Sequence, residues 1–177
     1  MAFSVIAAVR DEKDFITAVN SNVEIIFHLS PDVNTLFDTI KKAHAKGKKI
    51  FIHLDLTEGI GKDKSGIKFA KRLGVDGIIS TRANLIKAAR EEKLFTVQRF
   101  FAVDSKSVLT TIETIKSSKP DMIEIMPGIA TKVIERLNGL VSMPIIAGGL
   151  IETLSEIEIA INSGAHAVST AKEEFWK

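Results

Sequence analysis

Short apolar segments alternate with longer amphipathic segments along the whole chain. The apolar segments have the length of β-strands, and the longer ones repeat apolar residues at the spacing of one helix face. Eight strands are predicted, over residues 4–9, 23–29, 49–56, 76–80, 95–102, 121–126, 144–148 and 165–169. Because parallel neighbours must be joined by crossover connections, this alternation predicts an α/β fold with a parallel sheet.

The intervening helices are predicted from their apolar spacing and their ends. One helix is expected over 33–46 and another over 128–141. Glycines stand where helices should end, namely Gly47, Gly74 and Gly164. A glycine just past a helix commonly adopts the left-handed conformation. No linker or low-complexity segment divides the chain, so one domain over residues 1–177 is predicted.

An internal similarity favours closure of the sheet into a barrel. Residues 74–81 (GVDGIIST) resemble residues 164–170 (GAHAVST), which would place strands four and eight in matching positions of two half-barrels. Such barrels typically need about 250 residues. At 177 residues we therefore predict a small TIM-like (β/α)8 barrel with short helices, some of them missing. The alternative is an open doubly wound sheet, which also binds ligands at the carboxyl ends of its strands.

Side chains alternate between the two faces of a strand, and this predicts a polar barrel interior. In strand three, Phe51, His53 and Asp55 are assigned to the interior; the helix-facing residues are Ile50, Ile52, Leu54 and Leu56. In strand two, Val23, Ile25, Phe27 and Leu29 share one face, and Glu24, Ile26 and His28 are assigned to the inner one. In strand six, Glu124 points inward between the outward Ile123 and Ile125.

Composition and charge narrow the class of protein. The hydrophobic fraction of 45% and charged fraction of 26% are ordinary for a globular domain. The sequence has no apolar run of membrane-spanning length, no secretory signal and no cysteine, so a cytoplasmic protein without a membrane partner is expected. With 24 basic and 22 acidic residues, any RNA contact must come from a local basic patch or from pairing of two copies in a homo-oligomer.

Two short segments, one with a pair of glycines and one with a pair of hydroxyl side chains, are the strongest candidates for a ligand-binding site. Gly148 and Gly149 follow the seventh predicted strand, and Ser169 and Thr170 end the eighth. Glycine lets the backbone approach a ligand, and backbone N–H groups at such a turn suit an oxyanion. In barrels of this kind the loops after strands seven and eight often hold a phosphate. We therefore predict a phosphate site here, with a tight turn that binds nothing as the alternative.

Arginines at the ends of other strands would complete a phosphate site. Arg10 follows strand one, Arg82 follows strand four, and Arg99 lies near the end of strand five. A guanidinium group binds phosphate through two parallel hydrogen bonds. Arg99 is assigned to the phosphate and Arg10 to the rest of the ligand, whereas Arg82 is better explained as a surface charge.

Three carboxylates and a lysine are further candidates for the same site. Asp55, Glu58 and Glu124 could accept the hydroxyls of a polyol or act as acid–base groups, and Lys62 could reach an anion over the mouth. A helix cap or a buried ion pair is the alternative for Asp55, and a solvated side chain is the alternative for Lys62. Loop 57–65 contains Gly59 and Gly61 and could close over a ligand.

The sequence contains no recognisable catalytic signature. The four histidines do not have the spacing of metal ligands, and the nucleophile elbow GxSxG is absent. No catalytic residue, metal ligand or cofactor is predicted. This favours binding over turnover.

Several motifs together resemble one known family. They are residues 50–56 (IFIHLDL), 58–59 (EG), 62–63 (KD), 74–82 (GVDGIISTR), 98–99 (QR), 123–128 (IEIMPG) and 145–151 (IIAGGLI). The chain resembles the glycerol-3-phosphate-responsive antiterminator family from Ala7 to Thr170. His28 departs from the pattern, because a more apolar residue is expected there.

The resemblance implies a small (β/α) barrel that binds glycerol 3-phosphate as its effector. It also implies that the ligand-bound protein binds the leader mRNA of glycerol-use genes and prevents termination of transcription. Two alternatives stay open: a phosphosugar isomerase or aldolase with Asp55 or Glu124 as base, and a sensor that acts through a protein partner.

Basic residues that could contact RNA are spread along the chain. They are Lys41, Lys42, Lys46, Lys48, Lys49, Lys68, Lys71, Arg72, Lys87 and Arg90. RNA-binding faces usually combine such charges with exposed aromatic rings. Tyrosine is absent, and the one tryptophan, Trp176, is expected at a frayed chain end. Stacking would therefore fall to phenylalanines, most of which are predicted to be buried.

Overall fold

The computed structural model describes residues 4–102 and 105–177. Eight parallel strands follow one another around a closed barrel: β1 (Val5–Val9), β2 (Ile25–His28), β3 (Lys49–His53), β4 (Gly77–Ser80), β5 (Phe95–Phe101), β6 (Met122–Met126), β7 (Ile145–Gly148) and β8 (Ala167–Thr170). The last strand pairs with the first, with Val5 opposite Val168. This confirms the predicted barrel and excludes the open sheet.

Short helices cover the outside of the barrel. They are α1 (Glu12–Val19), α2 (Val33–Ala45), α3 (Lys64–Leu73), α4 (Ala83–Glu91), α5 (Ser105–Ser118), α6 (Thr131–Asn138) and α7 (Leu154–Asn162). The shortest contain 8 residues and the longest 14. After β8 the described chain forms only a 3-10 turn at Glu173–Phe175. Because the helices are short and only a 3-10 turn follows β8, 177 residues are enough for a barrel that usually needs more.

Three glycines that follow helices α2, α3 and α7 adopt the left-handed conformation that their positions predict. Gly47, Gly74 and Gly164 have φ of 70°, 98° and 106°. The helix predicted over 33–46 is observed nearly in full, whereas the one predicted over 128–141 is reduced to α6.

Side-chain alternation produces an apolar layer inside the barrel and a polar layer above it. Phe51, Val97 and Ala167 belong to the buried interior cluster. Two residues further along the same strands stand His53, Arg99 and Ser169, all of them buried. Because residues i and i+2 share a face, the polar layer lies on the inner side at the carboxyl-terminal mouth. The predicted polar interior is therefore correct only for the upper layer.

Strand two faces the opposite way from its prediction. Phe27 and Leu29 pack inside the barrel, whereas Ile26 packs in the cluster beneath the helices. His28 shares the outer face with Ile26 and stacks on Phe15 of α1 at 6.1 Å between ring centroids. Both faces of this strand carry apolar residues, so alternation alone could not tell inside from outside.

The third strand ends earlier than predicted. Leu54–Leu56 form a 3-10 turn after β3. Asp55 is therefore not an inward-pointing strand residue. Leu56 is 49% exposed instead of packing against helices. By contrast, Ile50, Ile52, Ile123 and Ile125 face the helices as predicted.

The tryptophan near the chain end is buried, contrary to expectation. Trp176 is 1% exposed and belongs to the cluster between the strands and the helices. Its ring Nε1–H donates to the carbonyl of Thr170 at 3.0 Å, and its own carbonyl accepts from the amide of Asn22 at 3.0 Å. These bonds fix the last turn against α1, where the described chain has no eighth helix.

A row of aromatic rings fills the amino-terminal end of the interior. Phe51 lies between Phe27 and Phe95, with ring centroids 5.7 and 5.5 Å away. Gly77 on β4 leaves room for this row. A Cβ atom at Gly77 would stand 2.8 Å from the ring of Phe51 and 2.9 Å from the carbonyl oxygen of Phe95.

We expect Gly77→Ala to destabilise the fold by about 1–3 kcal/mol, the usual cost of an overpacked core. The ring and the carbonyl that the new methyl would meet are both held by neighbouring strands. Gly139→Ala is a matched control, because its Cβ would be 3.9 Å from the nearest atom and its φ is −80°. Urea unfolding monitored by circular dichroism measures both, and equal midpoints for Gly77→Ala and the parent protein would contradict the packing account.

Candidate functional site

The segments that follow β7 and β8 lie side by side at the carboxyl-terminal mouth. Gly148 stands opposite Ser169 in the ladder between the two strands. Beyond it, the hydroxyl of Thr170 donates to the carbonyl of Ile151 at 2.9 Å. Further out, Lys172 Nζ lies 3.8 Å from a carboxylate oxygen of Glu152. The structure thus brings together the two segments of the predicted phosphate site.

A cavity of about 210 Å³ opens between these segments. Six of the predicted site residues line it: Arg10, Arg99, Glu124, Gly149, Ser169 and Thr170. Lys172 adds a third cation, and Ala8 and Leu29 supply apolar wall. The cavity therefore offers positive charge, hydroxyls and a small apolar surface to one compact ligand.

A buried ion pair forms the floor of this cavity. Arg99 Nε donates to Glu124 Oε2 at 2.6 Å, and the two side chains are 7% and 1% exposed. The residues stand opposite each other on β5 and β6. Ser169 from β8 donates to the other carboxylate oxygen, Oε1, at 2.6 Å. Because guanidinium has five N–H donors in a fixed fork, the Nε–H bond orients the rest of the group.

Gly148 supports this network instead of lining the cavity. A Cβ at this position would stand 2.3 Å from Glu124 Oε1 and 2.6 Å from Ser169 Oγ. The neighbouring Gly149 does line the cavity and has φ of 77°. Its carbonyl accepts from the amide of Gly128 at 2.9 Å. The two glycines thus have different roles. Gly148 leaves space for the ion pair, and Gly149 turns the backbone at the cavity wall.

The amino terminus of α7 already holds a carboxylate. Glu156 Oε2 accepts from the amides of Glu152 and Thr153 at 2.7 and 2.9 Å, and Thr153 Oγ1 caps the amide of Glu156. The bond from the Glu152 amide is the main cause that lowers the pKa of Glu156. This capping box occupies amides that a phosphate at the helix end would need. In the sequence, the T-x-x-E spacing of Thr153 and Glu156 is the signal of this capping box.

Asp55 has a structural environment outside the cavity. Ser80 Oγ, the Thr81 amide and Thr81 Oγ1 all donate to its carboxylate at 2.8–2.9 Å, and Arg82 Nε lies at 3.7 Å. Burial raises the pKa of Asp55, but the hydrogen bonds from Thr81 and Ser80 outweigh it and hold the pKa below its usual value. The carboxylate joins the turn after β3 to the start of α4.

Lys62 and Glu58 also lie away from the cavity. Lys62 Nζ donates to the carbonyls of Thr57 and Ile60 within its own loop. Burial is the main cause that lowers the pKa of Lys62. Glu58 is exposed, and its backbone bonds to Pro31 and Val33 at 2.9 and 3.1 Å. The described conformation therefore uses both residues to hold loop 57–65 together.

Two residues near the mouth were not predicted as site residues. Lys172 lines the cavity, and its signal in the sequence is a cation two residues after Thr170. His53 is buried in the polar layer, and its Nδ1 has no hydrogen-bond partner among the described residues. Burial first, and then the charge of Arg99, lower the pKa of His53 to about 4. The imidazole is therefore neutral at pH 7 beside Arg99.

The described residues contain neither a metal-binding cluster nor a membrane-spanning helix. Within 4–102 and 105–177, no group of three or more His, Asp or Glu residues is arranged to hold a metal ion. In the same residues, no helix has the length and apolar character needed to cross a membrane.

Comparison with known proteins places this geometry in a family. The protein of Escherichia coli (strain K12) called uncharacterized protein YgcP is 39% identical over 173 residues, which is 97% of this chain and 91% of that protein. The glycerol uptake operon antiterminator regulatory protein of Listeria monocytogenes superimposes with a TM-score of 0.93 at 36% identity, over 98% of this chain and 94% of that one. A glycerol uptake operon antiterminator-related protein of Thermotoga maritima gives 0.88 at 31% identity, over 99% of both chains.

The family resemblance seen in the sequence is confirmed by a match along nearly the whole chain. The sequence model described as glycerol-3-phosphate responsive antiterminator matches residues 5–176. The matched range includes all eight strands and every residue that lines the mouth cavity. The chain belongs to the glycerol-3-phosphate responsive antiterminator family.

Proposed function

We propose that this protein binds glycerol 3-phosphate in the mouth cavity and, in that state, binds leader mRNA of glycerol-use genes and promotes transcription antitermination. The observation that carries the ligand part is the cavity of about 210 Å³ with three cations around it. The family match supports the RNA part.

The phosphate group fits the rim formed after β7 and β8. Arg10 follows β1, Lys172 follows the adjacent β8 and Arg99 lies on β5, so three cations line the cavity, and Thr170 adds a hydroxyl. Charge-assisted hydrogen bonds from such groups are the strong ones in phosphate recognition. The position also agrees with the phosphate site that this fold commonly forms after strands seven and eight.

The glycerol part fits the floor of the cavity. Glu124 accepts one bond at each carboxylate oxygen, from Arg99 and from Ser169. A carboxylate has about four lone-pair sites, so further bonds from ligand hydroxyls are compatible with this arrangement. Ala8 and Leu29 can contact the carbon chain. The small volume favours a three-carbon ligand over a nucleotide.

The enzyme alternative is less well supported by the two carboxylates proposed for it. Asp55 lies outside the cavity, and its lowered pKa makes it a weaker base. Glu124 lies in the cavity but is bound to Arg99 and Ser169. We therefore assign both residues to structure and binding.

Arg10→Gln is expected to weaken glycerol 3-phosphate binding by about 10- to 100-fold, since a hydrogen bond to a charged group contributes about 1.5–3 kcal/mol. Arg10 is exposed and lines the cavity, so its loss should not disturb the fold. Arg82→Gln is the matched control, because Arg82 lies beside Asp55 outside the cavity. Isothermal titration calorimetry measures both; unchanged affinity in Arg10→Gln, or equal losses in the two variants, would refute this site.

Glycerol 3-phosphate is expected to increase retention of a glycerol-operon leader transcript in a filter-binding assay. Salt must be fixed, because phosphate contacts make RNA affinity steeply dependent on ionic strength. In Arg10→Gln the half-maximal effector concentration should rise by the factor found in calorimetry, while RNA affinity at saturating effector stays unchanged.

Other outcomes of the same assay separate the alternatives. Effector binding without RNA retention would favour a sensor that acts through a protein partner. Turnover of a phosphosugar, with RNA retention independent of the effector, would favour the isomerase or aldolase.

A further inference from the structure

Positive charge is concentrated on two neighbouring helices. Residues 33–49 comprise α2, the connection after it and the first residue of β3. Together with residues 64–73 of α3 they contain nine of the 24 Lys and Arg residues but only one acid, Asp38. In the rest of the chain, 15 basic residues are outnumbered by 21 acidic ones. The net charge of +2 thus conceals a strongly uneven distribution.

We call the outward surface of these two segments the α2–α3 face. Helices α2 and α3 pack against each other along the outside of the barrel. The cations at the borders of the face are tied to other elements: Lys42 to Glu12, Lys64 to Glu91 and Lys71 to Glu92. The cations in its centre have a different arrangement.

The central cations lie over aromatic rings. Lys41 Nζ is 5.2 Å from the ring centroid of Phe37, and the guanidinium carbon of Arg72 is 5.9 Å from that of Phe69. Phe37 is 50% exposed, and Phe69 is half-buried. Phe37 is thus a phenylalanine outside the buried majority that the sequence predicts, and its ring is accessible for stacking. Lys68, one turn before Arg72 on α3, is exposed as well.

Cations next to an exposed aromatic ring are more typical of an RNA-binding surface than of an ordinary solvated surface. Cations bind the phosphate backbone, and an exposed ring offers a face on which an unpaired base can stack. We propose that the α2–α3 face is the surface through which this protein binds an unpaired segment of RNA. The proposal rests on the proposed function and adds the location of the contact.

The other predicted RNA contacts on α4 are less suitable. Lys87 Nζ donates to Ser117 Oγ at 2.8 Å, and Arg90 donates to the carbonyl of Ser118 at 3.5 Å. Both side chains therefore connect α4 to α5. Of the ten basic residues predicted from the sequence, the remaining eight all lie within residues 33–49 and 64–73, and one of them, Lys48, donates to the carbonyl of Ser21 at 2.7 Å.

The α2–α3 face is connected to the mouth by loop 57–65. The amide of Val33, the first residue of α2, donates to the carbonyl of Glu58. Asp63 in the same loop caps α3 by accepting from the amide of Gly66 at 2.8 Å. One loop thus holds the starts of both helices at the carboxyl-terminal end of the barrel, the end that also carries the proposed effector cavity.

Removing three central cations tests the face. We expect Lys41→Gln/Lys68→Gln/Arg72→Gln to lower affinity for leader RNA at least 10-fold at fixed salt and saturating glycerol 3-phosphate. The slope of log K against log[salt] should become shallower by about 2, since each contact to single-stranded RNA contributes about 0.7. The control Lys116→Gln/Lys132→Gln/Arg136→Gln removes the same charge from exposed positions on α5 and α6. It should change neither quantity.

A separate variant tests the contribution of the exposed ring of Phe37 to RNA binding. Phe37→Ala should lower RNA affinity about 10-fold through lost stacking, while the salt slope stays as in the parent protein. Glycerol 3-phosphate affinity, measured by calorimetry, should be unchanged in all these variants, which also shows that they are folded.

Each remaining result would overturn the proposal in a recognisable way. Parent-like RNA binding by the α2–α3 triple variant, or equal losses in the two triple variants, would mean that this face is not the RNA site. Equal competition by heparin, together with no effect of Phe37→Ala, would mean a simple polyanion surface. If the parent protein itself retains no leader RNA, the proposed function fails and the face fails with it.

Discussion

The ion pair between Arg99 and Glu124 is the constraint on which the upper half of the barrel depends. Two charges in a site with 7% and 1% exposure are tolerated only if their hydrogen-bonding capacity is well satisfied. The register between β5 and β6 brings the pair together, and Ser169 satisfies the second carboxylate oxygen. The absence of a side chain at Gly148 leaves the space that these atoms occupy. One electrostatic requirement thus links four consecutive strands and fixes the floor of the cavity.

In each half of the barrel, a serine hydroxyl at the end of a strand donates a hydrogen bond to a carboxylate. In the second half, Ser169 donates to Glu124 beneath an open cavity. In the first half, Ser80 donates to Asp55, and Thr81 fills the remaining positions of that carboxylate. The similarity between residues 74–81 and 164–170 therefore has a physical meaning: each segment ends a strand with a hydroxyl that binds a carboxylate. In the second half, a cavity opens above this carboxylate.

The sequence was sufficient for the number of strands, their order and closure, because periodicity and glycine positions are local properties. It was not sufficient where a decision depends on three-dimensional neighbours. The direction of strand two could not be read, since Ile26 and Phe27 are both apolar and only packing separates them. Asp55 was misplaced because β3 ends in a 3-10 turn. Trp176 is buried because no eighth helix occupies its place in the described chain, which its position near the chain end could not reveal.

The candidate site was predictable where topology alone assembles it. In a closed parallel barrel the ends of β7 and β8 must be neighbours, so Gly149, Ser169 and Thr170 were found from their positions. Surface charge is a different kind of property, because a sum over the chain averages opposite sides of the molecule. The basic character of α2 and α3 becomes apparent only when these helices are adjacent and the acids lie elsewhere. A cavity lined by three cations at the mouth and a cation-rich pair of outer helices can therefore coexist in a chain whose net charge is only +2.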